Sequence, residues 1–323
     1  MNSFSKNLLK ALVFIFILIL ILLFLSHVFT PKDSLNGITV HDPVAYAFKG
    51  EPDNSLDVFF VGDSEIYASV IPMNLWQEYG ITSFCCGTEG QRICYTEYFI
   101  KECLKKQSPE LIVLEAHCLY KEFSSGDRIM QEIDHVFPLL KYHKRWKSLT
   151  WKDLDFKSEY SYHDASRGYV FYDHIDPAII DGYMAPSDSE EKIPEKNIKY
   201  LERIKKFCDD RNVELMLLSV PSTINWSMPR HNYIYNLCNE MGIEYVDLNV
   251  ITDELKIDWN NDTHDKGDHM NYNGAFKVTE YIGDLLADKG YFVDHHGDDY
   301  YYLWDVDADF FNNSYSLEAL PCK

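Results

Sequence analysis

The sequence is short of positive charge, with 30 Lys and Arg residues against 51 Asp and Glu residues and a formal net charge of −21 over 323 residues. Phosphate groups would be repelled along most of such a surface, which excludes nucleic acid and argues against an anionic membrane surface as the main ligand. The sequence also lacks an internal repeat of solenoid period and any low-complexity segment. With 46% hydrophobic residues, it is long enough to bury one large core or two modest ones.

The eight cysteines lack the close spacing that is typical of a disulfide framework, and the spacing of a zinc site is also absent. Cys103, Cys208 and Cys238 fall within helical patterns, and Cys85 and Cys118 fall at predicted strand ends. Free buried cysteine behaves as a small hydrophobic residue. We therefore predict buried thiols, no metal site and no cofactor.

One long apolar run, from Leu8 to Phe29, is present near the N-terminus. About 20 helical residues cross the ~30 Å hydrocarbon layer of a bilayer. Lys6 and Lys10 precede the apolar core of the run, so the positive-inside bias predicts a cytoplasmic N-terminus and an extracytoplasmic remainder. A cleaved signal peptide is the alternative, but Ser26 to Pro31 contains no small-x-small cleavage site. We predict a single-pass membrane anchor over residues 1–30.

After a predicted linker over residues 31–54, short apolar runs alternate with helical periodicity. The runs predict five strands: Leu56–Val61, Ile81–Cys86, Leu111–Ala116, Val213–Val220 and Ile243–Leu248. Continuous apolar strands separated by helices are typical of a parallel sheet that is covered on both faces. The helices are predicted over Gln91–Lys106, Pro194–Arg211, Pro229–Met241 and Tyr272–Leu286, the last of them capped by Asn271. The prediction is a three-layer α/β/α sandwich of flavodoxin-like type over residues 55–290, with an insertion over 120–190 and an acidic, aromatic segment over 291–323.

Candidate catalytic residues follow the predicted strands at the edge where open parallel sheets place their sites. Gly62-Asp63-Ser64 comes directly after the first strand, and Ser64 is either a nucleophile or an ordinary helix cap. His269 lies between the fifth strand and the last helix and is the candidate base. An imidazole held by a carboxylate activates a serine hydroxyl at neutral pH. Asp265 is the preferred orienting acid, and Asp268 is the alternative.

Two other interpretations of these segments stay open. The loop that carries His269 is also consistent with a solvated acidic loop, or with a loose cation site made of Asp262, His264, Asp265 and Asp268. Gly87 follows the second strand and predicts a backbone N–H close to the reacting carbonyl, as an oxyanion hole requires. A simple strand-to-helix turn explains Gly87 equally well.

The blocks VFFVGDS (residues 58–64) and DKGDHMNYNGAFKVTEYI (residues 265–282) resemble the SGNH/GDSL hydrolase superfamily, and the second is most similar to membrane-anchored extracytoplasmic members related to the DltD group. The resemblance covers residues 56–120 and 194–288. It implies an SGNH-like sandwich in which Ser64 is the nucleophile and His269 the base. It also implies an oxyanion hole formed by the N–H groups of Ser64 and Gly87.

The sequence departs from the family pattern at two places. The Gly-x-Asn-Asp block expected after the third strand is replaced by Glu115-Ala116-His117-Cys118, so the asparagine donor of the oxyanion hole is missing. His117 is either a substitute donor or a buried histidine with no catalytic role. The usual Asp-x-x-His spacing would place the acid at Lys266, so the acid must be Asp265 or Asp268.

These observations lead to a main hypothesis and two alternatives. The main one is a serine esterase or O-acyltransferase that acts on acyl esters, acetyl first, of a cell-envelope or exported polysaccharide. A membrane-bound acyltransferase is its candidate partner. The first alternative is a catalytically weak component that binds glycan or a membrane partner in an export complex. The second is a cation-dependent scaffold, which depends only on the acidic residues Asp298, Asp299, Asp305, Asp307 and Asp309.

Overall fold

The computed structural model describes residues 3–32, 42–157 and 160–315. Parts of the predicted linker and of the predicted C-terminal segment, residues 33–41 and 316–323, lie outside the described residues. The chain divides into two compact units. The smaller contains Met1–Pro43 and Phe123–Tyr162, and the larger contains Val44–Glu122 and His163–Lys323.

The larger unit is built on one five-stranded parallel sheet in the order β2-β1-β3-β4-β5. The strands are β1 Val58–Gly62, β2 Ser83–Gly87, β3 Leu111–Glu115, β4 Glu214–Ser219 and β5 Glu244–Asp247. Every residue of β1, β2 and β3 is buried, as their unbroken apolar runs predict. The sequence prediction of five parallel strands is therefore confirmed, with each strand shorter than its apolar run.

Helices cover both faces of this sheet, which confirms the predicted three-layer sandwich. The helices of the larger unit are α2 Asp42–Ala45, which begins in the smaller unit, α3 Ser64–Ser69, α4 Pro72–Tyr79, α5 Ile93–Cys103, α8 Glu195–Asp209, α9 Met228–Met241, α10 Tyr272–Lys289 and α11 Tyr302–Tyr315. On one face α10 packs on α3 and α4, and α11 packs on α4, while on the other α5 packs on α8. β2 and β3 lie on opposite sides of β1, so the direction in which successive strands are added to the sheet reverses at β1. Ligands bind at such switch points, beyond the carboxyl ends of the strands.

The smaller unit contains α1 Ser3–Phe29, α6 Ser125–Val136 and α7 Leu139–Tyr142, followed by two 3-10 helices, His143–Lys147 and Trp151–Leu154. At 1.5 Å per residue α1 is about 40 Å long, and it is long and apolar enough to cross a membrane, with its most apolar part exposed. A signal sequence passes the same test of length and composition. The C-terminal turn of α1 contacts α7 and both 3-10 helices.

The residues of the predicted insertion are divided between the two units. Its first part, Phe123–Tyr162, belongs to the smaller unit. Its second part, residues 163–190, belongs to the larger unit and has no helix or strand, and residues 120–122 also belong to the larger unit. Residues of the second part pair with the backbone of the larger unit, for example in the hydrogen bonds Val170 N–H to Tyr67 O (2.9 Å) and Ala178 N–H to Trp259 O (2.7 Å). The seven cysteines in the described residues are all buried and free.

The described part of the predicted C-terminal segment contains α11, which is held by a buried arginine. The guanidinium of Arg167 lies 2.7 Å from the Asp307 carboxylate and 4.5 Å from the centroid of the Trp304 ring. Its backbone carbonyl accepts a hydrogen bond from the N–H of Cys85 in β2 (2.9 Å). Arg167 is fully buried, so it joins α11 to the edge of the sheet.

We predict that Arg167→Ala lowers the free energy of unfolding by about 3–5 kcal/mol, because it removes the buried guanidinium that pairs with the buried carboxylates of Asp307 and Glu51. Chemical denaturation of the full chain in detergent measures this change. Lys206→Ala, which removes an exposed i,i+4 pair with Asp210, is the control and should cost about 0.3–0.5 kcal/mol. Equal effects for the two variants would contradict the role given to Arg167.

Candidate active site

Ser64 lies at the switch point of the sheet, directly beyond the carboxyl end of β1. It is the first residue of α3, and its neighbour Asp63 caps that helix by accepting a hydrogen bond from the N–H of Glu65 (3.1 Å). Gly62 must be a glycine, because a Cβ there would lie 2.4 Å from the Cβ of Glu115 in the adjacent strand. The turn that holds Ser64 therefore begins at Gly62, where β1 and β3 approach each other closely.

His269 is held in a short loop that is closed at its base. Thr263 and Met270 form an isolated antiparallel bridge, and Gly267 adopts a left-handed backbone (φ 93°) at the tip. A Cβ at Gly267 would lie 2.2 Å from the hydroxyl of Thr223. Asn271 follows the loop and caps α10, as predicted, by accepting hydrogen bonds from the N–H groups of the first turn. The loop is thus fixed at both ends and at its tip.

The structure brings Ser64, His269 and Asp265 into one continuous relay. Nε2 of His269 lies 2.8 Å from Oγ of Ser64, and Nδ1 lies 2.6 Å from Oδ2 of Asp265. The other oxygen of Asp265 accepts a hydrogen bond from the His269 backbone N–H (2.7 Å). Because an ionised carboxylate only accepts, Nδ1 carries the ring proton and Nε2 is left to accept the proton of Ser64.

Of the two candidate acids, Asp265 makes the contact with the imidazole. Oδ2 of Asp268 lies 3.9 Å from Nδ1 of His269. The other oxygen of Asp268 accepts a hydrogen bond from the Asn225 amide, which also donates to Oε1 of Glu65 (2.6 Å). Asp268 therefore lies beside the relay, and its hydrogen bond is with Asn225 and not with the imidazole.

The electrostatics of the relay favour a base that is protonated readily. Burial lowers the pKa of His269, but the hydrogen bond to Asp265 and the negative charges of Asp268 and Asp265 outweigh it, so the pKa is raised above its ordinary value. Burial raises the pKa of Asp265, but the hydrogen bonds to His269 outweigh it, so this pKa is lowered. The pair thus favours an imidazolium beside a carboxylate, the charge state formed when serine loses its proton.

The two other predicted oxyanion residues have different surroundings. Gly87 ends β2 directly opposite Gly62, and a Cβ there would lie 2.7 Å from the carbonyl oxygen of Asp63. The backbone of Gly87 is therefore next to the turn that carries Ser64. His117, at the end of β3, is buried, and its Nδ1 lies 3.2 Å from Oδ2 of Asp63 without the alignment of a hydrogen bond. Nδ1 of His117 therefore faces Asp63, the residue that caps α3.

Three buried carboxyl groups surround the turn that carries Ser64. Burial raises the pKa of Glu65 and of Glu115 well above the ordinary value, and in each case the charge of Asp63 raises it further. Burial also raises the pKa of Asp63, but His117 and Lys121 outweigh it, so the net shift is downward. The cluster therefore holds its negative charge on Asp63, while Glu65 and Glu115 favour the protonated form.

Aromatic rings cover the other side of His269. His264 stacks on Tyr172 at 4.0 Å between centroids and on His269 at 5.6 Å. Tyr172 belongs to the irregular second part of the predicted insertion, where its carbonyl oxygen accepts a hydrogen bond from the Tyr272 N–H (2.8 Å). This segment therefore restricts the orientation of the His269 ring.

Several carboxylate and imidazole groups at the site lie close enough together to hold a cation. They are the groups of His264, Asp265 and His269; of Asp63, Glu115 and His117; and of Glu65, Asp268 and His269. The first and third share His269, whose two ring nitrogens already contact Asp265 and Ser64. In the second, Nζ of Lys121 lies 3.6 Å from Asp63 and competes with a metal ion. The loose site considered from the sequence is not assembled, because Asp262 pairs with Lys277 at 2.6 Å.

Glu65 and Asn225 are contacts of the site that the sequence analysis did not identify. Glu65 adjoins Ser64 in the chain, but nothing in its position predicts a buried carboxyl group. Asn225 lies beyond the carboxyl end of β4, at the sheet edge that the other candidates share. Its position after β4, at that shared edge, is the feature of the sequence that could have indicated Asn225 as a site residue.

Comparison with known proteins gives a likeness to solved structures only. No family model matches the chain, and no curated protein matches it. Among solved structures the chain is similar to the esterase EstA from a Pseudoalteromonas species (7% identity, TM-score 0.39, 72% of this chain and 98% of that chain). It is also similar to a GDSL-like lipase from Bacteroides thetaiotaomicron (11%, 0.36, 72% and 88%) and to the acetylxylan esterase Axe2 from Geobacillus stearothermophilus (11%, 0.37, 72% and 94%). The strand order of the chain itself defines its class as an α/β sandwich.

We predict that Asp265→Asn lowers kcat/KM for p-nitrophenyl acetate by about 10³–10⁴-fold, because the amide no longer fixes the ring proton on Nδ1. Asp268→Asn keeps the shape of the site and should lower it less than about tenfold, since Asp268 does not contact the imidazole. Initial rates of the full chain give both values. The reverse order of effects would assign the acid to Asp268.

The raised pKa of His269 sets the acidic limb of the pH profile. Below that pKa the imidazole is protonated and accepts no proton from Ser64, so kcat/KM falls as the pH decreases, with a midpoint above the ordinary value of 6.5. Asp265→Asn removes the hydrogen bond that raises the pKa and should move the midpoint to lower pH. Asp309→Asn, on the exposed side of α11, should leave it unchanged. A wild-type midpoint at or below 6.5 would contradict this account.

Proposed function

We propose that this chain is a serine esterase or O-acyltransferase of the SGNH/GDSL type. It acts on acyl esters, acetyl first, of a cell-envelope or exported polysaccharide. The relay from Asp265 through His269 to Ser64 is the single observation that carries this proposal. The resemblance of the blocks around Ser64 and His269 supports the superfamily, and membership of the DltD group stays a prediction.

In the first half of the reaction Ser64 takes the acyl group. His269 accepts the hydroxyl proton on Nε2 while Oγ of Ser64 attacks the ester carbonyl, and Asp265 stabilises the imidazolium that forms. The N–H groups of Ser64 and Gly87 are proposed to donate to the oxyanion of the tetrahedral intermediate. The C–O bond of the ester then breaks, and His269 gives its proton to the leaving sugar alkoxide, which leaves an acyl-enzyme and a free hydroxyl.

In the second half an acceptor hydroxyl takes the acyl group from Ser64. His269 removes the proton of the acceptor, the tetrahedral intermediate forms again, and its collapse returns the proton to Oγ of Ser64. Water as acceptor makes the protein an esterase, and a sugar hydroxyl makes it a transferase. The proposed substrate is a neutral glycan, because a surface with a net charge of −21 repels anionic polymers.

The proposed location is the cell membrane, with the N-terminus cytoplasmic and the larger unit extracytoplasmic. The end of α1 supports an uncleaved anchor. Ser26 is buried, and its hydroxyl accepts a hydrogen bond from the Leu139 N–H (3.4 Å). The buried Lys32 donates to the carbonyl of Asp153 (2.8 Å). Cleavage in this region would remove groups that the smaller unit packs against.

A catalytically weak glycan-binding or partner-binding component remains the second candidate. The observation that favours it is the absence of an asparagine after β3, where His117 instead contacts Asp63. Loss of one oxyanion donor costs about 10²–10³-fold in rate. The complete relay opposes this candidate, since a binding protein has no need of an ordered Ser-His-Asp arrangement.

We predict that Ser64→Ala and His269→Ala each lower the turnover of p-nitrophenyl acetate by the full chain in lipid nanodiscs by about 10⁴–10⁶-fold. Mass spectrometry of the wild-type chain should detect an added acetyl group on Ser64. The full chain is used because residues 26–32 pack within the smaller unit. Wild-type turnover no faster than that of either variant would favour the binding component.

A further inference from the structure

The part of the smaller unit that follows α6 differs in charge from the rest of the chain. Residues 139–157 contain six basic and two acidic residues, whereas the chain as a whole has a formal net charge of −21. We refer to residues 139–157 as the basic–aromatic segment. Lys144, Lys147 and Lys157 are exposed within it. A conclusion drawn from the net charge of the whole chain therefore does not apply to this segment.

The basic–aromatic segment is fixed at the C-terminal end of α1. Nη1 of Arg145 donates to the carbonyl of Phe29 (2.8 Å), and Nη2 donates to Asp153 (3.1 Å) within the segment. The ring of Phe156 stacks on His27 at 4.5 Å between centroids and lies 5.8 Å from the ring of Phe24. The segment thus contacts α1 where the apolar run gives way to polar residues.

The segment also exposes large aromatic side chains. Trp146 is 65% exposed, Trp151 is 88% exposed and Phe156 is 67% exposed. Tryptophan is enriched where the hydrocarbon of a bilayer meets the headgroups, because its ring is amphipathic. Lysine at this depth directs its ammonium group to the headgroups while its methylene groups contact apolar surface. Exposed tryptophan and lysine together at the end of an apolar helix are typical of this interface.

We propose that the basic–aromatic segment lies on the anionic headgroup layer of the bilayer that α1 enters. Trp146 and Trp151 would lie at the interface, and Lys144, Lys147 and Lys157 would contact lipid phosphates. This inference depends on the proposed membrane anchorage by α1. The basic residues lie far along the chain from α1, and translocated domains contribute little to the positive-inside bias, so the proposed orientation is unaffected.

A bilayer fits this surface better than a protein partner does. The segment is continuous with α1, whose exposed apolar side chains require lipid over the same turns that Phe156 contacts. Its charge is opposite to that of anionic headgroups and to that of the rest of the chain. Protein interfaces are depleted of lysine relative to the rest of the surface, whereas lysine is favoured next to anionic lipid.

The test is quenching of tryptophan fluorescence in the full chain by spin-labelled phosphatidylcholine, in nanodiscs with and without phosphatidylglycerol. We expect quenching that increases with phosphatidylglycerol and is largely lost in Trp146→Phe/Trp151→Phe. Lys144→Glu/Lys147→Glu/Lys157→Glu should remove most of the increase, because each lysine near an anionic surface strengthens the association about fivefold. The matched control is Lys105→Glu/Lys199→Glu/Lys206→Glu, which reverses three exposed lysines of the larger unit and should not change the quenching.

Three results would overturn the inference. Equal quenching in the wild-type chain and the double tryptophan variant would mean that Trp146 and Trp151 do not reach lipid. Quenching that is the same with and without phosphatidylglycerol, and unchanged by the charge reversal, would mean that the segment does not recognise anionic headgroups. Protection of the two tryptophans from solvent only in native membranes would assign the surface to a protein partner. Co-elution of the chain with nanodiscs reports the anchorage by α1, and p-nitrophenyl acetate turnover reports the proposed activity, so each can fail separately.

Discussion

The hydrogen bond between Nε2 of His269 and Oγ of Ser64 joins residues 205 positions apart, and the rest of the larger unit holds its two ends in place. Ser64 is fixed by the close approach of β1 and β3, which requires Gly62. His269 is fixed by the bridge at the base of its loop and by the cap of α10. Because α10 packs on α3, the two ends belong to neighbouring elements on one face of the sheet.

The fold could be predicted because its signals are local. The strands are continuous apolar runs, and Asn271 precedes α10 with ordinary capping chemistry. The candidate residues Ser64 and His269 could be placed together because parallel strands share one carboxyl edge. The contacts of Glu65 with Asn225 and of Arg167 with Asp307 could not be predicted, since they join distant segments that have no periodicity. The same limit applies to α11, whose acidic sequence is typical of a solvated segment although Trp304 and Asp307 are buried.

The buried carboxylates around Ser64 separate two electrostatic roles. Three ionised groups in this space would repel each other, so burial and the charge of Asp63 favour protonated Glu65 and Glu115. Asp63 keeps its charge because His117 and Lys121 lie next to it. Asp265 is one-third exposed, and its hydrogen bonds to His269 lower its pKa, so it is the ionised group in direct contact with the imidazole. The negative charge in contact with the His269 imidazole is therefore separate from the charge that caps α3.

The division of the smaller unit between two distant stretches of sequence sets an order of events during synthesis. Residues up to Pro43 leave the ribosome about 80 residues before Phe123, which begins the second stretch. At 5–20 residues per second this delay is roughly 4–16 s. During that interval the carbonyl of Phe29 and the ammonium of Lys32 lack Arg145 and Asp153. A ribosome that stalls within this window would hold a nascent chain whose first helix is complete but whose supporting contacts have not yet been made.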